Sequence, residues 1–262
     1  MKIAILGGGN LGSAIAEGII HSGFCEAGDI TVTKRQIGTL KHLADLGCNV
    51  HSDNVKAVKN SDIIILAVKP YNYQIVIDEI KASLNAKKHV LISVITGVWI
   101  SDLQKAIAKK LAIVRAMPNT AIAIQQSMTC IAAQDTNQEQ IEYIQNLFNQ
   151  LGRTVVIDEQ LMDAATVLGA CGTAYAMRYI RANIQGGIEI GFDAKTASLI
   201  AAQTVLGAAE LLIKTDSHPE KEIDKVTTPK GCTIAGLNEM EHQGFSSSLI
   251  QGINASYKKI TK

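Results

Sequence analysis

The segment Met1-Lys2-Ile3-Ala4-Ile5-Leu6-Gly7-Gly8-Gly9-Asn10-Leu11-Gly12 decides the fold of this chain. Its apolar run, Ile3–Leu6, predicts a buried strand that leads directly into a Gly-x-Gly-x-x-Gly turn and then into a helix. This order is the dinucleotide-binding fingerprint: the first glycine permits the turn, the second admits a pyrophosphate, and the third lets helix and strand pack closely. The alternative is a glycine turn without a ligand. The residues predicted to bind the dinucleotide are Gly7, Gly9, Asn10, Leu11 and Gly12.

The composition is that of a globular protein without a strong electrostatic partner. The 262 residues suit one large or two ordinary domains, and a net charge of +1 gives no attraction to nucleic acid or to an anionic membrane. The five cysteines are scattered without a CxxC pair, which disfavours a zinc site and fits a reducing cytoplasm. No apolar run is expected to approach the roughly 20 residues that span a bilayer. We therefore expect a cytoplasmic protein with no metal, no membrane contact and no nucleic-acid partner, whose N-terminus is a core strand and not a signal peptide.

Residues 1–158 alternate between short apolar runs and helical patterns. This alternation predicts an α/β domain of the Rossmann type, with a doubly wound, mostly parallel sheet. Helical patterns are clearest at Asn72–Leu84 and Glu139–Gln150. The predicted strands are Ile3–Leu6, Ile30–Thr33, Ile63–Ala67, Val90–Val94, Ile113–Arg115 and Thr154–Ile157.

Residues 159–262 lack strand patterns and predict a second, all-helical domain. A flat, apolar helical unit of ~100 residues buries little of its own surface, so we expect a homodimer through this domain. Loops are predicted at Thr215–Pro219 and Thr227–Gly231. The predicted helical stretches are Leu161–Gly169, Ala174–Ile190, Ala194–Lys214 and Ile234–Gln243.

The residues at the end of the second strand indicate whether the dinucleotide is NAD or NADP. NAD-specific proteins of this fold place an acidic residue there for the ribose 2′-hydroxyl. Here the positions are Thr33, Lys34 and Arg35, which offer a hydroxyl and two cations suited to a 2′-phosphate. We therefore expect NADPH as the cofactor, with NADH possible but weaker. The alternative is an ordinary solvated loop.

Two further loops follow predicted strands, where a doubly wound sheet binds ligands. The first contains the cofactor-binding candidates Ala67, Val68, Lys69 and Pro70. The second contains the candidates Met117, Pro118 and Asn119. The alternatives are a charged turn for the first loop and a proline-stiffened turn, locally capped by Asn119 and Thr120, for the second.

Together these segments resemble the pyrroline-5-carboxylate reductase family, NAD(P)H enzymes of the last step of proline synthesis. The resemblance covers nearly the whole chain and implies an N-terminal Rossmann domain followed by a helical domain that interlocks in a dimer. Dimers assemble further in some members. The landmarks are Gly7–Gly12, Val68-Lys69-Pro70, Arg115-Ala116-Met117-Pro118-Asn119-Thr120 and Val226-Thr227-Thr228-Pro229-Lys230-Gly231-Cys232-Thr233.

The last landmark carries the substrate site that the resemblance implies. The loop precedes a helix expected to begin near Ile234, whose free N–H groups favour an anion. The resemblance implies that Thr228 and the backbone of Gly231, Cys232 and Thr233 hold the substrate carboxylate. It also implies that the Thr233 hydroxyl contacts the imine nitrogen and serves as the catalytic group, while a reduced nicotinamide delivers hydride to 1-pyrroline-5-carboxylate to give L-proline. The alternative makes Thr233 an N-cap and Gly231 a turn glycine.

Several positions depart from the family pattern. The segment Gly169–Tyr175 is altered, Ala121 replaces a proline, and Gln125, Ser127 and Lys230 replace glycines. An ordinary backbone is expected at Lys230 only if that position does not need a positive φ. Arg181 reverses the charge of an acidic residue, and it either contacts the ligand or forms a dimer salt bridge. The cysteines Cys171 and Cys232 lack a partner histidine, so neither is expected to be a nucleophile.

Two other functions remain open from the sequence. A β-hydroxyacid dehydrogenase, or a reductase of another imine or keto substrate, shares the glycine loop. The dehydrogenases use a lysine in their long helix, and Ala174–Ile190 contains none. A non-catalytic NADP-binding or regulatory protein is suggested by Arg181 and the altered Gly169–Tyr175 segment, but the intact loop Thr228–Thr233 argues against it.

Overall fold

The computed structural model describes residues 1–261 and divides the chain into two compact units. The first contains Met1–Cys171 and the second Gly172–Ile260. The sequence places the boundary at Asp158, whereas the first unit continues to Cys171. The extra residues belong to it because Met162 is buried against Met117, Cys130 and Ala132 of the sheet.

The first unit is built on one eight-stranded sheet with the order β3-β2-β1-β4-β5-β6-β7-β8. All neighbouring strands are parallel except β6 and β7. The predicted α/β class with a mostly parallel, doubly wound sheet is therefore confirmed. The strands are β1 Ile3–Leu6, β2 Ile30–Thr33, β3 Asn49–His51, β4 Ile63–Leu66, β5 Val90–Ser93, β6 Ala112–Met117, β7 Ser127–Gln134 and β8 Gly152–Val156.

Two of these strands are absent from the sequence prediction. The strand β3 has three residues and pairs only at the sheet edge with β2, so it lacks an apolar signal. The strand β7 has a mixed sequence in which Ser127 and Thr129 flank Met128, and it runs antiparallel to β6, in the register Ile113 opposite Gln134. Its pairing with both β6 and β8 identifies it as a strand.

Helices cover both faces of the sheet. Ile3 and Ile5 face one core and Ala4 and Leu6 face the other, as alternate residues of a strand must. Burial of these apolar side chains contributes about 25 cal/mol for each Å² removed from water. The helices are α1 Asn10–Ser22, α2 Lys41–Asp45, α3 Asn54–Lys59, α4 Tyr73–Ile80, α5 Ile100–Ile107, α6 Gln138–Asn149 and α7 Met162–Ala165, the last followed by a short π-helix at Thr166–Cys171.

The second unit is helical, as predicted. Close packing of α8 on α9 depends on small residues, since a Cβ on Gly187 would lie only 3.2 Å from that of Ala197. The sequence prediction does not include α10, which is short and charged, or α12, which is rich in serine. The helices are α8 Gly172–Glu189, α9 Ala194–Thr215, α10 Pro219–Val226, α11 Cys232–His242 and α12 Phe245–Ile260.

The helix α9 is apolar along its length but largely uncovered. Leu199 is 70% exposed and Leu206 is 54% exposed. By length and composition alone this helix is able to cross a membrane, since its most apolar 18 residues have a mean hydropathy of 1.5 and only 11% of them are buried. The expectation that no apolar run approaches this length is therefore wrong, because the small residues between its leucines extend the apolar run.

Candidate functional site

The glycine loop joins β1 to α1 in a tight turn. Gly7 has a φ of +114°, a backbone conformation that residues with a side chain rarely adopt. A Cβ on Gly12 would collide with the Gly7 carbonyl oxygen. A Cβ on Gly9 would meet nothing within 4 Å, so open space lies beside the start of the helix. Both observations fit a dinucleotide pyrophosphate, which needs the backbone to be approachable here.

The first turn of α1 leaves amide groups available to an anion. Gly9 is the N-cap, and no side chain caps the helix. The first bond back to the cap is donated by the Ser13 amide to the Gly9 carbonyl, at 2.8 Å. The amides of Asn10, Leu11 and Gly12 therefore have no acceptor within the helix, and they point outward from its positive end.

The structure brings the loop after β4 against the glycine loop. A Cβ on Gly7 would lie 2.5 Å from the Ala67 carbonyl oxygen and 2.9 Å from Val68 Cγ1. The Ala67 amide donates to the Leu6 carbonyl at 2.9 Å. Lys69 and Pro70 are exposed beyond this contact. Two segments that the sequence singled out separately thus form one wall of the site.

The loop after β6 is held by Asn119, whose polar groups all have protein partners. Its amide donates to Ser127 Oγ at 3.0 Å, and its Nδ2 donates to the Gly169 carbonyl at 3.3 Å. Its Oδ1 accepts from the Ala121 amide at 3.0 Å, so Asn119 is a cap as the alternative interpretation proposed. Met117 and Pro118 are buried. Ser127, noted from the sequence only as a departure, orders this loop.

The ribose end of the site differs in detail from the expectation. Lys34 is half-buried and Arg35 is exposed, so both cations remain available to a phosphate. Thr33 is buried, and its hydroxyl donates to Asn54 Oδ1 at 2.6 Å. Asn54 in turn donates to Glu79 Oε2 at 2.8 Å. Neither Asn54 nor Glu79 carries a sequence signal that singles it out.

In the second unit, the loop before α11 is a four-residue turn. The Gly231 amide donates to the Thr228 carbonyl at 2.9 Å. Pro229 and the left-handed Lys230, with a φ of +60°, take the two central positions, as in a type II turn. Lys230 therefore does not have the negative φ that is ordinary for a residue with a side chain, because this turn requires a positive φ at its third position.

The helix α11 begins at Cys232, earlier than the predicted start near Ile234. Gly231 is the N-cap without a side-chain bond, so the alternative that made Thr233 the N-cap is wrong. The amides of Cys232 and Thr233 lie in the first turn and have no helical acceptor. A Cβ on Gly231 would lie 2.5 Å from Thr228 Oγ1, which places that hydroxyl against the turn.

Two residues of α8, Arg181 and Tyr175, are respectively a departure from and a remnant of the family pattern. Arg181 is exposed, and across residues 1–261 it takes part in none of the ion pairs. The Tyr175 hydroxyl lies 2.6 Å from Ser256 Oγ, which joins α8 to α12. Tyr175 thus serves the packing of the helical unit.

The cysteines in the described part of the chain are unpaired, and burial holds three of them protonated. All five are free thiols. Burial raises the pKa of Cys48 to about 11 and also raises the pKa values of Cys25 and Cys130, which keeps these thiols protonated. Within residues 1–261 no group of three or more His, Cys, Asp or Glu side chains is placed to hold a metal ion.

Comparisons with known proteins cover both units. The family model for pyrroline-5-carboxylate reductase dimerisation matches residues 159–262. The model for coenzyme F420-dependent NADP oxidoreductases matches residues 2–97. A solved structure of pyrroline carboxylate reductase from Plasmodium falciparum, with NADP bound, is similar with a TM-score of 0.90 and 26% identity, covering 99% of this chain and 97% of that one.

Curated relatives are closer in sequence. Pyrroline-5-carboxylate reductase 1 of Dictyostelium discoideum is 46% identical over 98% of this chain, which spans only 49% of that relative's length. Pyrroline-5-carboxylate reductase 2 of the same organism is 44% identical, and the match covers all of this chain and 92% of the relative. Identity of 44% over nearly the full length of both this chain and the second relative shows that the chain belongs to the pyrroline-5-carboxylate reductase family.

Proposed function

We propose that the protein reduces 1-pyrroline-5-carboxylate to L-proline with NADPH, the last step of proline biosynthesis. The observation that carries this proposal is the glycine loop, where Gly7 and Gly12 permit the tight turn and Gly9 leaves open space for a pyrophosphate beside free amides. Family membership supports the substrate, and the NADP in the similar Plasmodium structure supports the cofactor.

The first unit positions the cofactor. The amides of Asn10, Leu11 and Gly12 receive the pyrophosphate at the positive end of α1. Lys34 and Arg35 neutralise the 2′-phosphate through charge-assisted hydrogen bonds. The loops at Ala67–Pro70 and Met117–Asn119 line the remainder of the cofactor site, because both follow the carboxyl ends of parallel strands.

The second unit holds the substrate. The Thr228 hydroxyl and the amides of Cys232 and Thr233 bind the carboxylate at the start of α11. The Gly231 amide is already used by the turn, so the contribution of Gly231 is conformational. Because it has no Cβ, Gly231 leaves space for Thr228 Oγ1, which any larger residue at this position would displace.

The chemical step asks little of the side chains. When bound, the reduced nicotinamide supplies a hydride to the imine carbon, and the nitrogen gains a proton. The Thr233 hydroxyl orients that nitrogen and relays its proton. Thr233 is exposed in the first turn of α11, so its hydroxyl is accessible to a substrate that the helix start has bound.

The protein acts as a homodimer in the cytoplasm, without a membrane or nucleic-acid partner. The support for dimerisation is the uncovered apolar surface of α9 together with the dimerisation model matched by residues 159–262. A second copy that covers α9 removes from water the same side chains that make this helix apolar enough to span a bilayer. We also propose that these dimers can associate into a higher assembly.

The test is NADPH oxidation followed by absorbance with 1-pyrroline-5-carboxylate as substrate. Wild-type protein is expected to turn over, and Thr233→Val is expected to lower kcat by about 10²-fold or more. Thr136→Val removes a hydroxyl outside both candidate loops and is expected to leave kcat unchanged. NADPH binding without turnover would instead support a regulatory protein, and turnover with a different imine or keto acid alone would reassign the substrate.

A further inference from the structure

The loop after β5, residues 94–99, lies between the two loops that are proposed to line the cofactor site after β4 and β6. These three strands are neighbours and parallel, so their carboxyl ends meet at one edge of the sheet. In the proposed site the pyrophosphate binds after β1 and the 2′-phosphate after β2. The nicotinamide half of the dinucleotide therefore extends the other way, toward β4, β5 and β6.

The tip of this loop is exposed, and both of its ends are anchored. Thr96 and Gly97 are exposed, and Gly97 has a φ of +72°. On one side Ile95 is buried, and its amide donates to Ser93 Oγ at 3.3 Å. On the other side the loop runs into α5, whose first residue is the buried Ile100. The position of the tip therefore depends on how the start of α5 is held.

The buried Arg115 of β6 holds the start of α5. Its guanidinium carbon lies 5.4 Å from the centroid of the Trp99 ring, and its Nη1 donates to Glu159 Oε1 at 3.1 Å. The same oxygen of Glu159 accepts from the Ile100 amide at 2.7 Å. Arg115 thus reaches the start of α5 by two routes, directly through an aromatic ring and indirectly through a shared carboxylate.

Stability alone gives little reason for an arginine at this position. Arg115 is 1% exposed, and among residues 1–261 its Nε and Nη2 have no hydrogen-bond partner. Burying a charge with unused donors is costly, and an apolar side chain of similar volume is often at least as stabilising. What the guanidinium supplies is a rigid planar group that contacts Trp99 and Glu159 at the same time.

We propose that Arg115 is a positioning residue for hydride transfer, which acts through Trp99 and Glu159 to hold the loop after β5 where the nicotinamide ring binds. Arg115 itself is buried and acts without touching the cofactor. This inference rests on the proposed function and concerns only the reactive end of the cofactor. A misplacement of about 1 Å can cost ~10²-fold in rate, so a small shift of Thr96 and Gly97 lowers kcat while the distant phosphate contacts remain.

The experiment combines turnover with the binding of 2′-phospho-ADP-ribose, a fragment of NADPH that lacks the nicotinamide ring. Arg115→Lys keeps a cation near Glu159 but loses the planar group that stacks on Trp99. Calorimetry with the fragment gives its dissociation constant, and its stoichiometry counts the folded sites. We expect kcat per folded site with 1-pyrroline-5-carboxylate to fall about tenfold, while the dissociation constant of the fragment stays within about twofold of that of the wild type.

A second variant and a matched control accompany Arg115→Lys. Trp99→Leu removes the stacked ring but leaves the ion pair of Arg115 with Glu159, and it is expected to lower kcat per folded site about fivefold. Arg153→Lys makes the same substitution at an exposed residue of β8 that joins none of the ion pairs within the described residues. This control is expected to leave kcat and the fragment affinity unchanged.

The inference is overturned if kcat per folded site in Arg115→Lys or in Trp99→Leu equals that of the wild type. It is also overturned if either variant loses affinity for the fragment by as large a factor as it loses kcat, because the phosphate contacts would then be damaged too. If the wild-type protein does not turn over, the proposed function fails and the inference fails with it. Normal turnover by the wild type with an unchanged kcat in the variants overturns the inference alone.

Discussion

The Arg115 guanidinium and the Glu159 carboxylate form an ion pair at 3.1 Å inside the first unit. Arg115 lies in β6 and is 1% exposed, with Trp99 stacked 5.4 Å from its guanidinium carbon. Glu159 also accepts from the Ile100 amide at 2.7 Å. One carboxylate thus joins the end of β6, the start of α5 and the segment that follows β8.

Removing this carboxylate is expected to destabilise the protein. In Glu159→Ala the buried Arg115 keeps its charge but loses its counter-ion, and the free energy of unfolding should fall by about 3 kcal/mol. Urea denaturation measures this change. Asp78→Ala, which breaks the exposed pair with Lys81, should lower the free energy of unfolding far less, because solvent screens that pair. If both variants lost the same free energy of unfolding, the Arg115–Glu159 pair would contribute no more to stability than an exposed ion pair.

Lys230→Gly is expected to increase stability or leave it unchanged. A left-handed backbone costs a non-glycine residue about 1–2 kcal/mol, and glycine removes this cost while adding entropy to the unfolded chain. The same change at Lys225, in the last turn of α10, should instead cost up to about 1 kcal/mol. Thermal unfolding distinguishes the two signs, and a clear loss of stability in Lys230→Gly would contradict the expectation.

Acid is expected to weaken the fold through His89. Its side chain is buried, and its Nδ1 accepts from the Asn85 amide at 3.1 Å. Burial, with a smaller contribution from the charge of Lys88, lowers the pKa of His89 below its ordinary value. The unfolded chain therefore binds a proton more readily, so the free energy of unfolding falls as the pH drops below about 6.5.

Denaturation curves between neutral and mildly acidic pH test the role of His89. His89→Asn, which keeps an acceptor for the Asn85 amide, should flatten this pH dependence. His21→Asn changes an exposed histidine and should leave the slope as it is in the wild type. An unaltered slope in His89→Asn would refute the assignment.

Ser127→Ala is expected to weaken NADPH binding as well as the fold. Without the hydroxyl, the Asn119 amide loses its acceptor, which costs about 1–3 kcal/mol where water has little access. The loop at Met117–Asn119 then loses its anchor to β7. Ser101→Ala, at an exposed position of α5, is the control for the loss of a serine hydroxyl. Fluorescence titration with NADPH measures the affinity, and unchanged binding would separate Ser127 from the cofactor site.

Charged substitutions in α9 are expected to dissociate the homodimer. Leu199→Glu places a charge on the exposed apolar surface through which we propose that two copies associate, and burying that charge unpaired is strongly unfavourable. Ile75→Glu, at a residue of α4 that is also exposed, should leave the mass unchanged. Sedimentation equilibrium gives the mass of each variant, and a Leu199→Glu protein that remains dimeric would move the interface elsewhere.

Local patterns in the sequence predicted much of the fold. The run Ile3–Leu6 followed by the glycine turn predicted the first strand, the turn and α1, because a buried parallel strand is apolar throughout. The α/β class followed from the alternation of such runs with helices. The family followed from landmarks that are specific in combination. The NADPH preference and the role of Thr233 stay predictions.

The start of α11 shows where local patterns are insufficient. Thr233 matched the composition of an N-cap, yet the left-handed Lys230 and the bond from Gly231 to Thr228 moved the helix start to Cys232. A turn of this type is decided by backbone angles that the sequence favours only when glycine is present.

The sequence by itself determined six of the eight strands, most of the long helices and the glycine turn after β1, since these depend on residues that are near neighbours in the chain. The tertiary structure alone decided the partners of polar side chains. Arg115 meets Glu159 across 44 positions, Thr33 meets Asn54 across 21 and Asn54 meets Glu79 across 25. Such pairs form because the folded sheet brings distant donors and acceptors together away from water, where an unpaired polar group is costly.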